Sequence, residues 1–401
     1  MRVYLLGAGA SKAYDQSPTG QRMPLARDFF ETFDQLDISA NPWVLIEGLI
    51  GYIEEIHGRG SAFSYLRSGI DIEDLHSEIE QARDAALAAE DVERWYFPYR
   101  AYNELVFLFS AVLNEIQNGP VSRPHVRLVQ QLDPEDVVIT FNWDTLLDRA
   151  LFEETSWRPD WGYGVSPHKL FNDGWREPVE RADPASNLLI KLHGSTNWLT
   201  GYTVTDGHGK IVHSQDLAPG AYAAYGRSTE PYACFAGRYM GPYEPYSYGY
   251  YPPNLDIPGR EAPDGYTIVA YRPKVPWRAE GQAPDAGLPS MPLIIPPVKN
   301  KSYTFFGDLF GSLWQQAEDA LAVADEIAII GYSFPKTDVQ SDELFRRSFA
   351  RRAGMPKIVI LDPEPDAVVE KMKRDLGIDD AHLRVERQYF TADYDLTKLV
   401  S

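Results

Sequence analysis

The chain contains a single cysteine, Cys234, in 401 residues. One thiol excludes an internal disulfide framework and a zinc site built from several cysteines. Long apolar runs are also missing, so no segment predicts a membrane-spanning helix. Residues 1–6 lack a basic region followed by a long apolar core, which argues against a secretory signal peptide. These absences predict a cytoplasmic protein that needs no metal.

Positive charge is scarce as well. The chain has 38 Lys and Arg against 58 Asp and Glu, which gives a formal net charge of −20. Like charges repel, so this acidity disfavours direct binding to nucleic acid or to an anionic membrane. A local basic pocket for a phosphate stays possible. The length predicts one domain, residues 1–401, that carries sizeable insertions.

The most informative stretch that is present covers residues 137–147. Its β-branched run at 137–139 predicts a buried parallel strand, and apolar residues at helical spacing follow. Asn142 and Asp144 therefore fall where a strand passes into a helix, the place where open α/β sheets bind ligands. Capping that helix would need only one residue, such as Asp144 or Thr145. The amide and carboxylate together favour a binding or catalytic site.

Four other apolar segments follow the same pattern, each ending in small or polar residues. Residues 7–11 follow the segment Arg2–Leu6, and His193 follows the segment 188–192. Residues 331–335 follow Glu326–Ile330, and Asp362 follows Lys357–Leu361. Five strands separated by helical segments predict an α/β fold with a doubly wound, mostly parallel, Rossmann-like sheet. The strand ends would share one ligand-binding edge. His193 holds the same topological position as Asn142, which favours a catalytic role.

Two of these strand ends allow more than one interpretation. Small residues at 7–11 would let backbone N–H groups approach a pyrophosphate, and the following helix would present its positive end. Position 12 is Lys12, however, so the full Gly-x-Gly-x-x-Gly pattern is absent and a tight strand-to-helix turn fits equally well. Asp362 would bind a ribose diol, or it would cap a helix over 364–373.

Helical spacing dominates residues 25–117, which predicts a helical insertion. Within it, Asp71 stands in an acidic segment typical of a helix start. His76 lies near Glu78 and Glu80, a combination that could suggest a metal site. Charge runs of this kind usually mark a solvated helix face, which is the interpretation we favour.

Residues 201–290 differ in character, because they hold half of the chain's 24 tyrosines together with scattered prolines. Aromatic residues can stack on bases, but few lysines or arginines accompany them here. We therefore expect an irregular insertion that covers the site or contacts another subunit. Residues 293–297 then predict an edge or closing segment, because proline is excluded from central strands. An amphipathic helix is expected over 305–323.

Four short motifs occur in an order that resembles the sirtuin superfamily. They are Gly7-Ala8-Gly9-Ala10-Ser11, Thr140-Phe141-Asn142-Trp143-Asp144, Leu192-His193-Gly194-Ser195 and Ile330-Gly331-Tyr332-Ser333-Phe334-Pro335. The chain is similar to the bacterial sirtuin-like branch, many of whose members hydrolyse NAD in antiphage defence. The long helical insertion before Asn142 resembles that branch more than the deacylases.

The resemblance implies a role for each matching residue. The pyrophosphate of NAD would lie on Gly7, Ala8, Gly9 and Ser11, Gly331 and Ser333 would contact phosphate, and Thr19 would belong to a mobile cofactor loop. Asn142 would hold the nicotinamide ribose or the attacking water, Asp144 would bind the nicotinamide carboxamide, and His193 would be the general base. Asp362 would bind the adenosine ribose. Imidazole titrates near neutral pH and suits proton transfer, and an amide can orient a nucleophile without titrating.

Two departures from the family argue against protein deacylation. The four zinc-binding cysteines of the deacylases are absent, and Phe141 replaces the family's glutamine. The expected activity is therefore NAD glycohydrolysis, with NAD as substrate and no metal, in a regulated homo-oligomer. By resemblance, a helicase-like ATPase is one candidate partner. The alternatives are a non-catalytic module that binds NAD or ADP-ribose and, less favoured, a zinc-free protein deacylase.

Overall fold

The computed structural model describes residues 1–36, 46–171, 175–180, 186–201, 204–205, 211–213, 222–225, 274–275, 288–295, 308–335 and 339–399. The strands, in chain order, are β1 Arg2–Leu6, β2 Val137–Thr140, β3 Lys169–Phe171, β4 Trp175–Arg176, β5 Leu188–Lys191, β6 Gly194–Gly201, β7 Val204–Thr205, β8 Ile211–His213, β9 Ala223–Tyr225, β10 Lys274–Val275, β11 Leu288–Ile294, β12 Glu326–Ile330, β13 Lys357–Leu361 and β14 Leu383–Glu386. The helices are α1 Ala8–Ser11, α2 Phe29–Asp34, α3 Glu47–His57, α4 Ala62–Leu66, α5 Ile72–Ala88, α6 Val92–Gln117, α7 Arg123–Val129, α8 Leu146–Glu154, α9 Asp308–Val323, α10 Val339–Ala350 and α11 Asp366–Leu376.

The main sheet has six parallel strands in the order β14-β13-β12-β1-β2-β5. All the strands that the sequence predicted for this sheet are present, and the predicted doubly wound α/β fold is confirmed. From β1 the chain adds β2 and β5 on one side, and it later adds β12, β13 and β14 on the other. The direction in which successive strands are added to the sheet therefore reverses between β1 and β12. In sheets of this kind the ligand crevice opens at that reversal, outside the carboxyl ends of the strands.

Burial explains why five of the six strands were visible in the sequence. Strands such as β1 and β12 are buried over almost their whole length, because helices cover both faces of a parallel sheet. The sixth strand, β14, is half-buried throughout and alternates apolar with charged residues, Leu383-Arg384-Val385-Glu386. Its position at the sheet edge accounts for the alternation. Because the segment is not a continuous apolar run, the sequence did not predict it as a strand.

Residues 25–117, where the sequence predicted helices, contain α2 to α6, and the buried side chains of these helices make up most of a second hydrophobic core. Asp71 caps α5, where its Oδ1 accepts the Glu73 N–H at 2.7 Å. The expected solvated face holds for the acidic residues, since Asp74 is exposed and Glu78 and Glu80 are half-buried. It is wrong for His76, which is fully buried and whose ring centroid lies 4.7 Å from that of Tyr102. Within the residues described, no helix combines the length and the apolar composition that crossing a membrane requires.

A second sheet lies in the order β10-β11-β6-β9-β3-β4 and receives strands from segments that are distant in sequence. The predicted irregular insertion, 201–290, falls mostly outside the described residues, and its described pieces include β7 to β10 as short strands. The predicted edge segment near Leu293 is instead the end of β11, which lies between β10 and β6. The β6–β11 register shifts between Pro292 and Ile294, which accommodates the proline.

Candidate active site

The loop after β1 and the end of β12 touch through their backbones. The Gly7 N–H donates to the Ile330 carbonyl at 3.0 Å, and the Gly9 N–H donates to the Gly331 carbonyl at 2.9 Å. A Cβ on Gly7 would lie 2.5 Å from the Gly331 oxygen, and Gly331 itself has a φ of +58°. These glycines therefore permit the close approach of two chain segments. Ala8 and Gly9 are exposed, so a ligand can still reach this loop.

Helix α1 is a single turn, shorter than the helix expected after the glycine-rich loop. The chain turns away after it, because the Tyr14 hydroxyl donates to the Pro120 carbonyl at 3.0 Å and Pro18 follows. One turn has few aligned peptide dipoles, so its positive end is weaker than a full helix would provide. Contact with a phosphate here would depend on the loop itself.

Asn142, Ser11 and Asp144 form a connected buried network at the ends of β1 and β2. Asn142 Nδ2 donates to the Gly7 carbonyl and to Ser11 Oγ, both at 2.7 Å. Ser11 Oγ in turn donates to Asp144 Oδ2 at 2.5 Å. Asp144 Oδ1 accepts the Leu146 N–H at 3.1 Å, so this carboxylate also caps α8. The network joins three predicted site residues, Ser11, Asn142 and Asp144, with the backbone of a fourth, Gly7.

The orientation of the Asn142 amide follows from these bonds. Both hydrogens of Nδ2 point at protein acceptors, which leaves Oδ1 as the atom that can accept a hydrogen bond from a ligand. Within the part of the chain that the structure describes, Oδ1 accepts none. An amide oxygen in that position can orient a ribose hydroxyl group or a water molecule.

Hydrogen bonds to backbone groups hold both the ring and the main chain of His193. It is 2% exposed, and its Nδ1 lies 3.2 Å from the Phe141 carbonyl oxygen. A carbonyl oxygen only accepts, so Nδ1 carries the proton in the neutral ring and Nε2 is the basic nitrogen. The His193 carbonyl accepts the Ile295 N–H at 2.8 Å. Gly194 follows with a φ of +77°, where a Cβ would lie 2.2 Å from the Leu293 oxygen.

Aromatic rings surround the histidine on the side of the strand ends. Trp143 stacks on His193 with centroids 5.6 Å apart, and Phe141 meets it edge-on at 5.2 Å. Trp314 lies 6.5 Å from the same ring, and Tyr332 stacks on Phe141 at 4.3 Å. Phe141 and Trp143 border Asn142 in the sequence, whereas no sequence pattern indicated that Trp314 and Tyr332 would join them in this wall. Flat apolar surfaces of this kind suit a neutral aromatic leaving group.

A buried cation supports the segment that carries the site. Lys191 is fully buried, and its Nζ donates to the Asp144 carbonyl at 2.5 Å and to Asp148 Oδ2 at 3.0 Å. The Tyr163 hydroxyl donates to Asp148 Oδ1 at 2.6 Å and accepts from Asn197 at 3.0 Å. Burial, and then the Asp148 carboxylate, raise the pKa of Tyr163 well above its usual value, so it stays a donor. A lysine inside an apolar strand was the available sequence signal.

Three predicted ligand-binding residues stand apart from this network. The Thr19 hydroxyl is bound within its own turn to Ser17 Oγ at 2.7 Å. Ser333 is exposed after β12. Asp362 Oδ1 accepts the Glu364 N–H at 2.8 Å and so caps the turn before α11. Among the described residues, no hydrogen bond joins these three side chains to the asparagine network or to the histidine.

Groups of three or more His, Cys, Asp or Glu side chains arranged to hold a metal ion are absent from the described residues. Cys234 and His208 lie outside those residues. No family model and no curated protein sequence matches this chain.

Proposed function

We propose that this protein is an NAD glycohydrolase that releases nicotinamide and ADP-ribose. The observation that carries the proposal is the arrangement of Asn142 and His193. Each follows a parallel strand at the carboxyl edge of the sheet, Asn142 after β2, which neighbours β1, and His193 after the outermost strand β5, and the two are linked through the Phe141 backbone. This edge is where doubly wound sheets bind dinucleotides. A simple binding site would not require the amide and imidazole together.

The chemistry follows from the two side chains. Water adds to C1′ of the nicotinamide ribose as the C1′–N bond breaks, and nicotinamide leaves with the bonding electron pair. His193 Nε2 accepts the proton of that water, and Asn142 Oδ1 orients the water or the ribose. The positive charge of the pyridinium ring is lost as it leaves, so the neutral product fits the aromatic wall formed by Phe141, Trp143, Trp314 and Tyr332.

The rest of the dinucleotide would extend along the sheet edge. Ala8 and Gly9 would contact the pyrophosphate together with Ser333, which is exposed at the end of the neighbouring strand β12. Asp362 follows β13, two strands from β1, which is about 10 Å at a strand spacing of about 4.8 Å. Its Oδ2 is the atom that would accept from the adenosine ribose. Asp144 would bind the carboxamide.

Burial of the reacting groups supports a regulated enzyme. Asn142 is 9% exposed and His193 is 2% exposed, so NAD must displace covering groups before it reaches them. Uncontrolled NAD hydrolysis would harm the cell that makes the protein. We infer a cytoplasmic effector of antiphage defence, active as a homo-oligomer after a trigger, with a helicase-like ATPase as one candidate partner.

The test is nicotinamide release from NAD by the purified protein, alone and with candidate partners. His193→Ala should lower kcat by about 100-fold or more, because the general base is lost, while calorimetry still detects NAD binding. Asn142→Ala should be comparably severe through loss of orientation. His57→Ala, an exposed histidine on α3, is the matched control. Binding without cleavage under every condition would favour the non-catalytic module, and equal rates in parent and His193→Ala would refute this mechanism.

A further inference from the structure

The last residue of α6, Gln117, ends the helical insertion inside the candidate site. It is 1% exposed, and each polar atom of its amide is used. Oε1 accepts the Thr145 N–H at 2.7 Å, while Nε2 donates to Asn114 Oδ1 at 2.6 Å and to Thr196 Oγ1 at 3.3 Å. The donor and acceptor pattern fixes which way the amide faces, because a backbone N–H can only donate.

Its two partners outside α6 belong to the two segments that carry the reacting groups. Thr145 lies three residues after Asn142, and Thr196 lies three residues after His193. The segments also meet directly, since the Thr196 N–H donates to the Trp143 carbonyl at 2.8 Å. Gln117 therefore closes a ring of hydrogen bonds that spans both segments.

The end of α6 is itself held in place. The Arg149 guanidinium on α8 donates to the carbonyl oxygens of Gln117 and of Gly119, the latter at 2.5 Å. Arg149 is 4% exposed. A cation at the carboxyl end of a helix is favourable, because it meets the last carbonyl groups and the negative end of the dipole. The position of the Gln117 amide is thus fixed from the helix as well as from the site.

We propose that Gln117 is a positioning residue, which holds the Asn142 segment and the His193 segment at the separation that NAD cleavage requires. The inference rests on the proposed function and makes the helical insertion part of the active site. Displacing α6 would change the distance between amide and imidazole without touching either. Misplacement of reacting groups by about 1 Å can lower a rate by about 100-fold.

Two substitutions and a control test this. Gln117→Met keeps the length of the side chain and removes the three hydrogen bonds of its amide. Gln117→Glu retains an acceptor for the Thr145 N–H and loses the donors. Gln81→Met, on the exposed face of α5 in the same insertion, is the matched control. Each variant is assayed for nicotinamide release from NAD, and hydrogen–deuterium exchange is measured in peptides covering 140–147 and 193–197.

We expect Gln117→Met to lower kcat by about 10- to 100-fold while KM stays within about twofold, because NAD is held mainly by other groups. Gln117→Glu should fall between Gln117→Met and the parent. Amide exchange should rise in both peptides of Gln117→Met and stay unchanged in Gln81→Met. A general loss of stability would not separate kcat from KM in this way.

The proposal is overturned if kcat and exchange in Gln117→Met match those of the control, or if KM rises while kcat holds. If the activated parent cleaves no NAD, the proposed function fails. Positioning is then judged by exchange alone. Unchanged exchange in the two peptides of a folded Gln117→Met or Gln117→Glu variant would reject it.

Discussion

Asp362 combines a structural bond with an accessible position at the sheet edge. Oδ1 accepts the Glu364 N–H, so replacement by alanine would disturb the turn as well as any ligand. Asp362→Asn keeps that acceptor and removes the charge. We expect weaker NAD binding with kcat unchanged at saturation, because the adenosine ribose lies far from the broken bond. Calorimetry and nicotinamide release measure the two effects. Unaltered affinity would show that Asp362 serves the turn only.

His76 predicts a pH dependence of stability. Burial lowers the pKa of its imidazole to about 3, and the Arg83 cation adds to the fall. Neither ring nitrogen is hydrogen-bonded to a described residue. Above pH 6.5 the ring is neutral in both states. Between about pH 6.5 and pH 3 only the unfolded state binds the proton. The free energy of unfolding therefore decreases as the pH is lowered, by up to about 1.4 kcal/mol per pH unit.

His76→Leu should remove this contribution. Urea unfolding should be measured from pH 7 to pH 4. The free energy of unfolding should depend less steeply on pH than in the parent, and the difference in slope should correspond to about one proton bound on unfolding. His57→Leu replaces an exposed histidine of the same insertion and should leave the slope as it is. A slope in His76→Leu equal to that of the parent would contradict the assignment.

At the scale of elements, the contact between the β1 loop and the end of β12 depends on glycine. A Cβ on Gly331 would lie 2.5 Å from the Ala10 nitrogen, at a φ of +58°. Gly331→Ala should lower the free energy of unfolding by more than about 1 kcal/mol. Gly311→Ala, in α9 with nothing near its Cβ, should raise it by about 0.5–1 kcal/mol. Denaturant midpoints give both values, and a stable Gly331→Ala protein would disprove the steric argument.

The same elements show what a sequence can predict. Strands β1 and β2 were visible because a buried parallel strand is apolar on both faces, whichever residues surround it. The second sheet was not, because β3, β6 and β11 pair across large separations in sequence, β3 has only 3 residues, and β11 is interrupted by proline. Pairing of that kind is set by tertiary structure, which leaves no local pattern.

The residues of the candidate site also differ in how far their positions could be predicted from the sequence. The position of Asn142 and His193 at one edge of the sheet was predictable, because each follows a recognisable strand and the strand ends of a parallel sheet meet at one edge. Gln117 was not, because it lies at the end of a helix whose relation to the sheet is set by packing. Lys191 was an exception that could have been found, since a charged residue within an apolar strand requires a buried partner.

For the whole molecule, we predict a homo-oligomer in solution, motivated by the concentration of tyrosines and prolines in 201–290. Light scattering at micromolar concentration should give a mass above the 45.3 kDa of one chain. A variant in which a short Gly/Ser linker replaces residues 226–273 should still unfold cooperatively on heating and should lose the association. A monomeric mass for the parent would refute the prediction.

The position of β1 also has a consequence for synthesis on the ribosome. This strand is the first to be made, yet its neighbour β12 pairs with it near residue 330, and the Met1 ammonium group meets Asp325, 324 residues later. At about 5–20 residues per second, that partner follows after roughly 16–65 s. The crevice between β1 and β12 therefore forms only when most of the chain exists. Under the proposed function, a nascent fragment that lacks β12 has no complete crevice for NAD, so cleavage would begin only after synthesis is nearly finished.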